Sequence, residues 1–123
     1  MKLSRPTTPE DAAQLRAQAL QRIAQIREAL ARLDYICAGT LQHRTRVCGK
    51  PGCRCAHDPA ARHGPYYEWG RLEQGRLVHS KLSRDEAQRF VQAMRKYRRL
   101  KQLLRKWQQE SVQAMLAESV EHA

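Results

Sequence analysis

Cys48-Gly49-Lys50-Pro51-Gly52-Cys53-Arg54-Cys55, followed after a seven-residue spacer by His63-Gly64-Pro65-Tyr66-Tyr67-Glu68-Trp69, decides how this chain is read. The pattern C-x4-C-x-C-x7-H supplies three thiolates and an imidazole, a standard tetrahedral set for a structural zinc ion. Cys53 and Cys55 are two apart, so an extended backbone aims both sulfurs to one side. Pro51 restricts one φ angle while Gly49 and Gly52 permit positive φ, so the chain can turn tightly about an ion. The expected ligands of a Zn2+ ion are therefore Cys48, Cys53, Cys55 and His63, with His57 and Cys37 open as alternatives for the fourth place. Buried free cysteines are the plainer reading, but these three lie in a Gly- and Lys-rich loop with little apolar material to hide in. A disulfide ring as small as Cys53-Arg54-Cys55 closes only with strain. Cys37, just after Leu30, Leu33 and Ile36, reads as core.

Working outward, the flanking residues read as sheet. Thr40 to Val47 alternates Leu41, His43, Thr45 and Val47 against Thr40, Gln42, Arg44 and Arg46, a strand pattern. Tyr66 to Leu72 and Arg76 to Leu82 flank Glu73-Gln74-Gly75, a turn with a glycine free to take positive φ, and together read as a hairpin. A short three-stranded antiparallel sheet carrying the metal loop is the expectation for residues 37–82.

Both ends of the chain read as helix. Thr8-Pro9-Glu10-Asp11 combines an N-cap, a proline in the first turn and early acids. Ala12, Leu15, Ala19, Ile23, Ile26, Leu30 and Leu33 then follow on one narrow face, so residues 1–36 are expected to hold an amphipathic helix running to about Asp34. Ser83-Arg84-Asp85-Glu86 is a capping box that opens a second helix, uninterrupted by Gly or Pro and filling most of residues 83–123. Its apolar side is read as Ala87, Phe90, Met94, Tyr97, Leu100, Leu104, Trp107 and Met115. The fold class expected is α+β: two long antiparallel helices, in a helical hairpin or coiled coil, joined by a small zinc-binding β module. The overhang of the second helix allows a homo-oligomer or a partner helix.

The cysteine motif and its surroundings carry a resemblance. Cys48 to Ala56 and His63 to Trp69, with Gly39-Thr40-Leu41 before them and Tyr97-Arg98-Arg99-Leu100 after, resemble an uncharacterised family of small bacterial and archaeal proteins. Members of that family accompany mobile genetic elements and transposase or recombinase genes. The resemblance implies a DNA-handling accessory role and brings no established activity with it.

Charge narrows the partners. With 23 Lys and Arg against 12 Asp and Glu, the 123-residue chain carries a net charge of +11, suited to a polyanion such as nucleic acid; charge does not choose the polyanion, and it is the resemblance that implies DNA more than RNA. Arg95, Lys96, Arg98, Arg99, Lys101, Arg105 and Lys106 put seven cations into twelve residues without an acid. A solvated helix face ordinarily alternates sign to gain i,i+4 pairs, and here repulsion is best relieved by a bound anion. The periodicity sets Arg95, Arg99 and Lys106 opposite the apolar stripe. Arg44 and Arg46 on one strand face and Lys50 and Arg54 in the metal loop add a second basic region. Tyr66 is the expected base-stacking residue, because Tyr67 and Trp69 alternate to the opposite side and read as core.

Three function classes follow: a zinc-stabilised DNA-binding accessory protein, a coiled-coil adaptor for a recombinase or transposase, and an enzyme. The third is set aside because four ligands close the metal and acids are scarce around it, whereas a catalytic zinc needs an open position and a nearby base. No apolar run approaches the ~20 residues of a membrane span, and the opening residues lack the pattern of a secretory signal. The expected location is thus a reducing cytoplasm, where thiols stay available for zinc.

Overall fold

The computed structural model describes residue 3 and residues 5–122. The chain is α+β: helix α1 (Pro9–Ala31), strand β1 (Thr40–Arg46), strand β2 (His63–Glu73), strand β3 (Arg76–Leu82) and helix α2 (Arg84–Glu121). Two short 3-10 turns, Arg54–Ala56 and Pro59–Ala61, lie in the loop between β1 and β2.

Both helices begin as their capping residues require. Thr8 is extended, and its Oγ1 accepts the Asp11 amide at 3.2 Å. Ser83 and Glu86 satisfy each other's backbone: the Ser83 N–H donates to Glu86 Oε1 at 2.9 Å and the Glu86 N–H donates to Ser83 Oγ at 3.1 Å. Helix α1 stops three residues short of Asp34, because Arg32 and Leu33 bond back to the Ala29 and Leu30 carbonyls in tightened i to i+3 turns. Helix α2 has 38 residues, about 57 Å at 1.5 Å per residue.

The sheet has the order β1-β2-β3, antiparallel throughout. The β2–β3 hairpin is tighter than expected. Glu73 already pairs with Arg76, so the loop is Gln74-Gly75 alone, both at positive φ as a primed two-residue turn requires. Strand β2 also starts earlier than expected, at His63. Arg44 pairs with Tyr66 but Arg46 pairs with His63, so an extra β2 residue bulges at Gly64-Pro65, where Gly64 has φ +105° and the Gly64-Pro65 bond is cis. That bulge takes His63 out of strict alternation with the rest of β2.

The chain divides into two compact units: Tyr35–Tyr97, and the residues up to Asp34 together with those from Arg98 onward. The first therefore includes the start of α2. In it Trp69 meets the Phe90 ring edge-on at 5.0 Å, and its Nε1–H donates to the Ala38 carbonyl at 2.8 Å. His43 and Tyr67 stack at 4.5 Å on the same sheet face, as the alternation of Tyr67 and Trp69 foretold. Gly39 makes this corner feasible: its φ is +118°, and a Cβ there would run into the Gly70 carbonyl and Trp69 Nε1.

In the other unit, Ala12, Ala19 and Ile26 of α1 and Leu103, Ala114 and Ala117 of α2 are buried. Ion pairs Arg16–Glu121 (3.8 Å) and Arg22–Glu110 (3.4 Å) link the two helices. The buried side of α2 departs from the expected stripe: Leu104 and Met115 are 48 % and 58 % exposed, whereas their neighbours Leu103 and Ala114 are buried. A strict 3.6 period through Leu100 selects 104. Burial falls instead at Leu103, Ala114 and Ala117, with small alanines rather than bulky side chains at the far end.

Two outcomes are expected. Gly39→Ala lowers the melting temperature markedly, because the left-handed backbone alone costs about 1–3 kcal/mol before the clash is counted; thermal unfolding followed by circular dichroism measures it. The Ser83 amide and hydroxyl hold the Glu86 carboxyl below its ordinary value of 4.5. This acid stabilises the fold above that value, and its contribution is lost as pH falls through the lower folded pKa. Glu86→Gln should therefore flatten the acid limb of the stability profile, and Ser83→Ala should cost about 1 kcal/mol near neutrality.

Candidate metal centre

The loop from Cys48 to His63 leaves the end of β1 and returns at the start of β2, so its two ends are neighbours in the sheet. Within it Lys50-Pro51-Gly52-Cys53 closes a turn, the Cys53 N–H donating to the Lys50 carbonyl at 3.1 Å. The Arg54–Ala56 turn follows, with the Ala56 N–H on the Cys53 carbonyl at 3.1 Å. Asp58 then caps the Pro59–Ala61 turn through the Ala60 amide, at 3.0 Å. Turn residues and local side-chain caps, rather than apolar burial, thus shape the loop.

This path gathers four donors. The Sγ atoms of Cys48, Cys53 and Cys55 and a ring nitrogen of His63 all lie within 4.8 Å of one another, and the four could hold a metal ion. Cys48 Sγ is 3.5 Å from Cys55 Sγ, and Cys53 Sγ is 3.3 Å from His63 Nε2. Cys55 is buried, Cys53 half-buried, and Cys48 and His63 exposed. All four cysteines of the chain are free thiols.

The electrostatics of the pocket differ from sulfur to sulfur. The Cys55 backbone amide, with help from the Cys55 and Cys48 thiols, draws the Cys53 thiol below its usual pKa. Cys55 accepts the Cys48 N–H at 3.4 Å, which pulls its thiol down, but burial and the adjacent Cys53 and Cys48 thiols outweigh this and push it up. Crowding several thiols this closely disfavours charging them all unless a cation joins them.

The alternatives for the fourth place lie elsewhere. His57 is exposed at the end of the Arg54–Ala56 turn and is outside the cluster. Cys37 packs against α2: its N–H donates to the Ala93 carbonyl at 3.3 Å, its Sγ lies 3.8 Å from the Phe90 carbonyl, and burial raises its thiol.

The basic residues singled out in the sequence fall into three surroundings. Arg44 and Arg46 flank Glu68, a carboxylate only 1 % exposed: Arg46 contacts Oε1 directly and Arg44 lies 3.8 Å from Oε2. Arg54 pairs with Asp58 at 3.0 Å, while Lys50 stands exposed in the turn. Arg95 is exposed on the first part of α2. Arg99 and Lys106, however, border a groove that also takes in Ile26 and Leu103 together with Arg22 and Glu110. They flank the buried side of α2 rather than opposing it, since that side runs through Leu103 and not through Leu104. Tyr66 lies half-buried beneath the Lys81 ammonium, 4.2 Å from its ring centre. Sequence reasoning did not single out Glu68; the legible signal was an acid midway along β2 whose alternation sets it with Tyr66 and the arginines.

Fold and site together define an α+β protein with a three-cysteine, one-histidine cluster able to hold a metal ion. The chain belongs to the family described as a domain of unknown function, DUF6788, whose model matches residues 16–92. No curated protein and no solved structure matches it. No helix of the described residues is long and apolar enough to cross a membrane.

Metal analysis by mass spectrometry tests the cluster. Wild-type protein is expected to retain a single metal ion per chain, Cys53→Ser and His63→Ala to lose it, and Cys37→Ser and His57→Ala to keep it.

Proposed function

We propose that this protein is a zinc-stabilised nucleic-acid-binding accessory protein, with DNA as its polyanion. The observation that carries the reading is the charge of the compact unit 35–97, which holds twelve Lys and Arg against five Asp and Glu around the metal loop. Phosphate contacts of this kind supply affinity without a base code. Specificity would then come from a partner, and the likeness of the cysteine motif to proteins that accompany mobile elements supports a role beside a recombinase or transposase.

Zinc is the ion the donors favour. At Zn–S about 2.3 Å, two sulfurs on a tetrahedron stand about 3.8 Å apart. The 3.5 Å and 3.3 Å pairs lie close to such edges, and a closure of about 1 Å brings the widest pair into range. Three thiolates with one imidazole form a closed structural set, so the ion braces the loop rather than meeting a substrate. The residues that would meet phosphate are Lys50 and Arg54 in the loop, Arg44 and Arg46 on β1, and Arg95, Arg99 and Lys106 on α2, with Arg54 and Arg46 also bearing ion pairs to Asp58 and Glu68.

The two helices act, in this reading, as an antiparallel hairpin. Ion pairs joining early α1 to late α2, and burial at Ala12, Ala19 and Ile26 every seven residues, support that pairing. Exposed Leu104 and Met115 favour a second reading, an adaptor that docks a protein partner or a second copy through α2 without touching nucleic acid.

Binding titrations at several salt concentrations separate the two. Phosphate neutralisation on duplex DNA predicts that log K falls by about 0.9 per contact against log salt, whereas apolar docking changes little. Arg95→Ala, Arg99→Ala and Lys106→Ala combined should weaken binding and shallow that slope while leaving the circular dichroism spectrum unchanged. Affinity unaffected by the triple change would remove α2 from the interface.

A further inference from the structure

Strict alternation gives the sheet two unlike faces. One carries Tyr67 and Trp69 of β2 with His43 and Leu41 of β1, and it turns toward Phe90. The other carries Tyr66, Glu68 and Gly70 of β2, opposite Arg44, Gln42 and Thr40 of β1 and with Lys81 and His79 of β3 opposite Glu68 and Gly70. Arg46 lies two residues beyond Arg44 on the same side.

This second face is built around a charge that has no ordinary reason to be there. Glu68 is only 1 % exposed, and its oxygens find cationic side chains rather than backbone amides as partners. An isolated buried carboxylate is strongly disfavoured. Arg46 in direct contact, Arg44 at 3.8 Å and His79 Nδ1 at 3.9 Å are what surround it. Gly70 leaves the room this needs, since a Cβ there would come within 3.1 Å of the His79 ring. Meanwhile the Arg44 and Arg46 side chains stay 50 % and 46 % exposed. Each guanidinium has five N–H donors in a rigid fork, so one edge can meet the carboxylate below while the other faces outward. Beside them the half-buried Tyr66 ring lies under the Lys81 ammonium, 4.2 Å away.

We propose that this outer sheet face is a binding surface for single-stranded nucleic acid, and that buried Glu68 is its positioning residue, pinning Arg44 and Arg46 as outward-facing phosphate forks next to Tyr66. The inference rests on the nucleic-acid reading above and adds to it the surface, the strand form and the organising group. A base stacks on Tyr66 as Lys81 swings from the ring to a neighbouring phosphate, and Arg44 and Arg46 meet phosphates with geometry fixed from below. Stacking of a base on the Tyr66 ring requires unpaired bases, which is why the partner is a single strand.

The position of Glu68 makes a prediction opposite in sign to simple charge counting. Glu68→Gln makes the protein more cationic, so charge alone predicts tighter binding, whereas loss of positioning predicts weaker binding. The experiment is fluorescence anisotropy of the full-length, metal-loaded protein with a labelled twenty-nucleotide oligothymidylate and a duplex of equal length. The expected results are preference for the single strand, a loss of at least about five-fold for Glu68→Gln, and a similar loss for Arg44→Lys with Arg46→Lys, which keeps charge but removes the forks. Glu68→Gln added to that double-lysine variant should change affinity less than about two-fold, because the positioned groups are already gone. Tyr66→Ala should lose about five-fold or more on the single strand, from the stacking it removes.

Tighter or unchanged binding by Glu68→Gln overturns the inference, as does an equal loss from Glu68→Gln in the double-lysine background, which would mark a merely structural role. Should Glu68→Gln unfold by circular dichroism, the double-lysine variant decides alone: full affinity overturns the proposal and a loss supports it. Preference for the duplex overturns the single-strand assignment. Wild-type protein that binds neither probe fails the nucleic-acid reading itself, a result distinct from every outcome that concerns Glu68.

Discussion

The scarcity of apolar burial in the central unit is the constraint from which the rest follows. Among the described residues of 35–97, the apolar side chains buried outright are Cys55, Ala87 and Ala93, which is far too little to hold three strands and the sixteen-residue loop 47–62 in one arrangement. Other devices share the work. Trp69 closes one corner on Phe90 and the Ala38 carbonyl, the hairpin turns on two residues at positive φ, and the four-donor cluster gathers residues from along the loop at the point where β1 and β2 pair. A bound cation would cross-link that cluster in the folded state alone, so its binding free energy becomes folding free energy.

That economy shapes the chemistry of the surface. With so few apolar side chains to cover, the sheet can devote one face to charged and polar groups, and a carboxylate occupies the place at its centre where a core residue would ordinarily stand. Burial of Glu68 is tolerable only because Arg46, Arg44 and His79 surround it. Direct contact with the carboxylate restricts Arg46, while Arg44 is held on the same face by its N–H donating to Gln42 Oε1 at 3.3 Å; restricting long side chains in advance reduces the entropy lost when they meet an anion.

Much of this was legible in the chain. Capping boxes and N-caps act over three or four residues, so the starts of α1 and α2 could be read from Thr8-Pro9 and from Ser83 and Glu86 without knowledge of the rest. Alternation separated Tyr66 from Tyr67 and Trp69 for the same local reason. The thiols and imidazole of the cluster were recognisable because metal chemistry demands those donors, although the choice of His63 over His57 was not settled by spacing. Less legible was the buried side of α2: Leu103 and Leu104 are adjacent and equally apolar, yet the first is buried and the second 48 % exposed, a choice that short-range pattern does not make. Nor does hydrophobicity reveal that Ala114 is buried where the more apolar Met115 is 58 % exposed.

The sequence by itself determined the elements, the thiol and imidazole chemistry of the cluster and the surplus of positive charge, since each depends on residue type and short spacing. Tertiary structure alone decided the β2 bulge at Gly64-Pro65, the exclusion of Cys37 and His57 from the cluster, and the burial of Glu68 beneath two arginines. Those outcomes depend on which strands pair and in what register, and pairing energy is set between residues far apart in the chain.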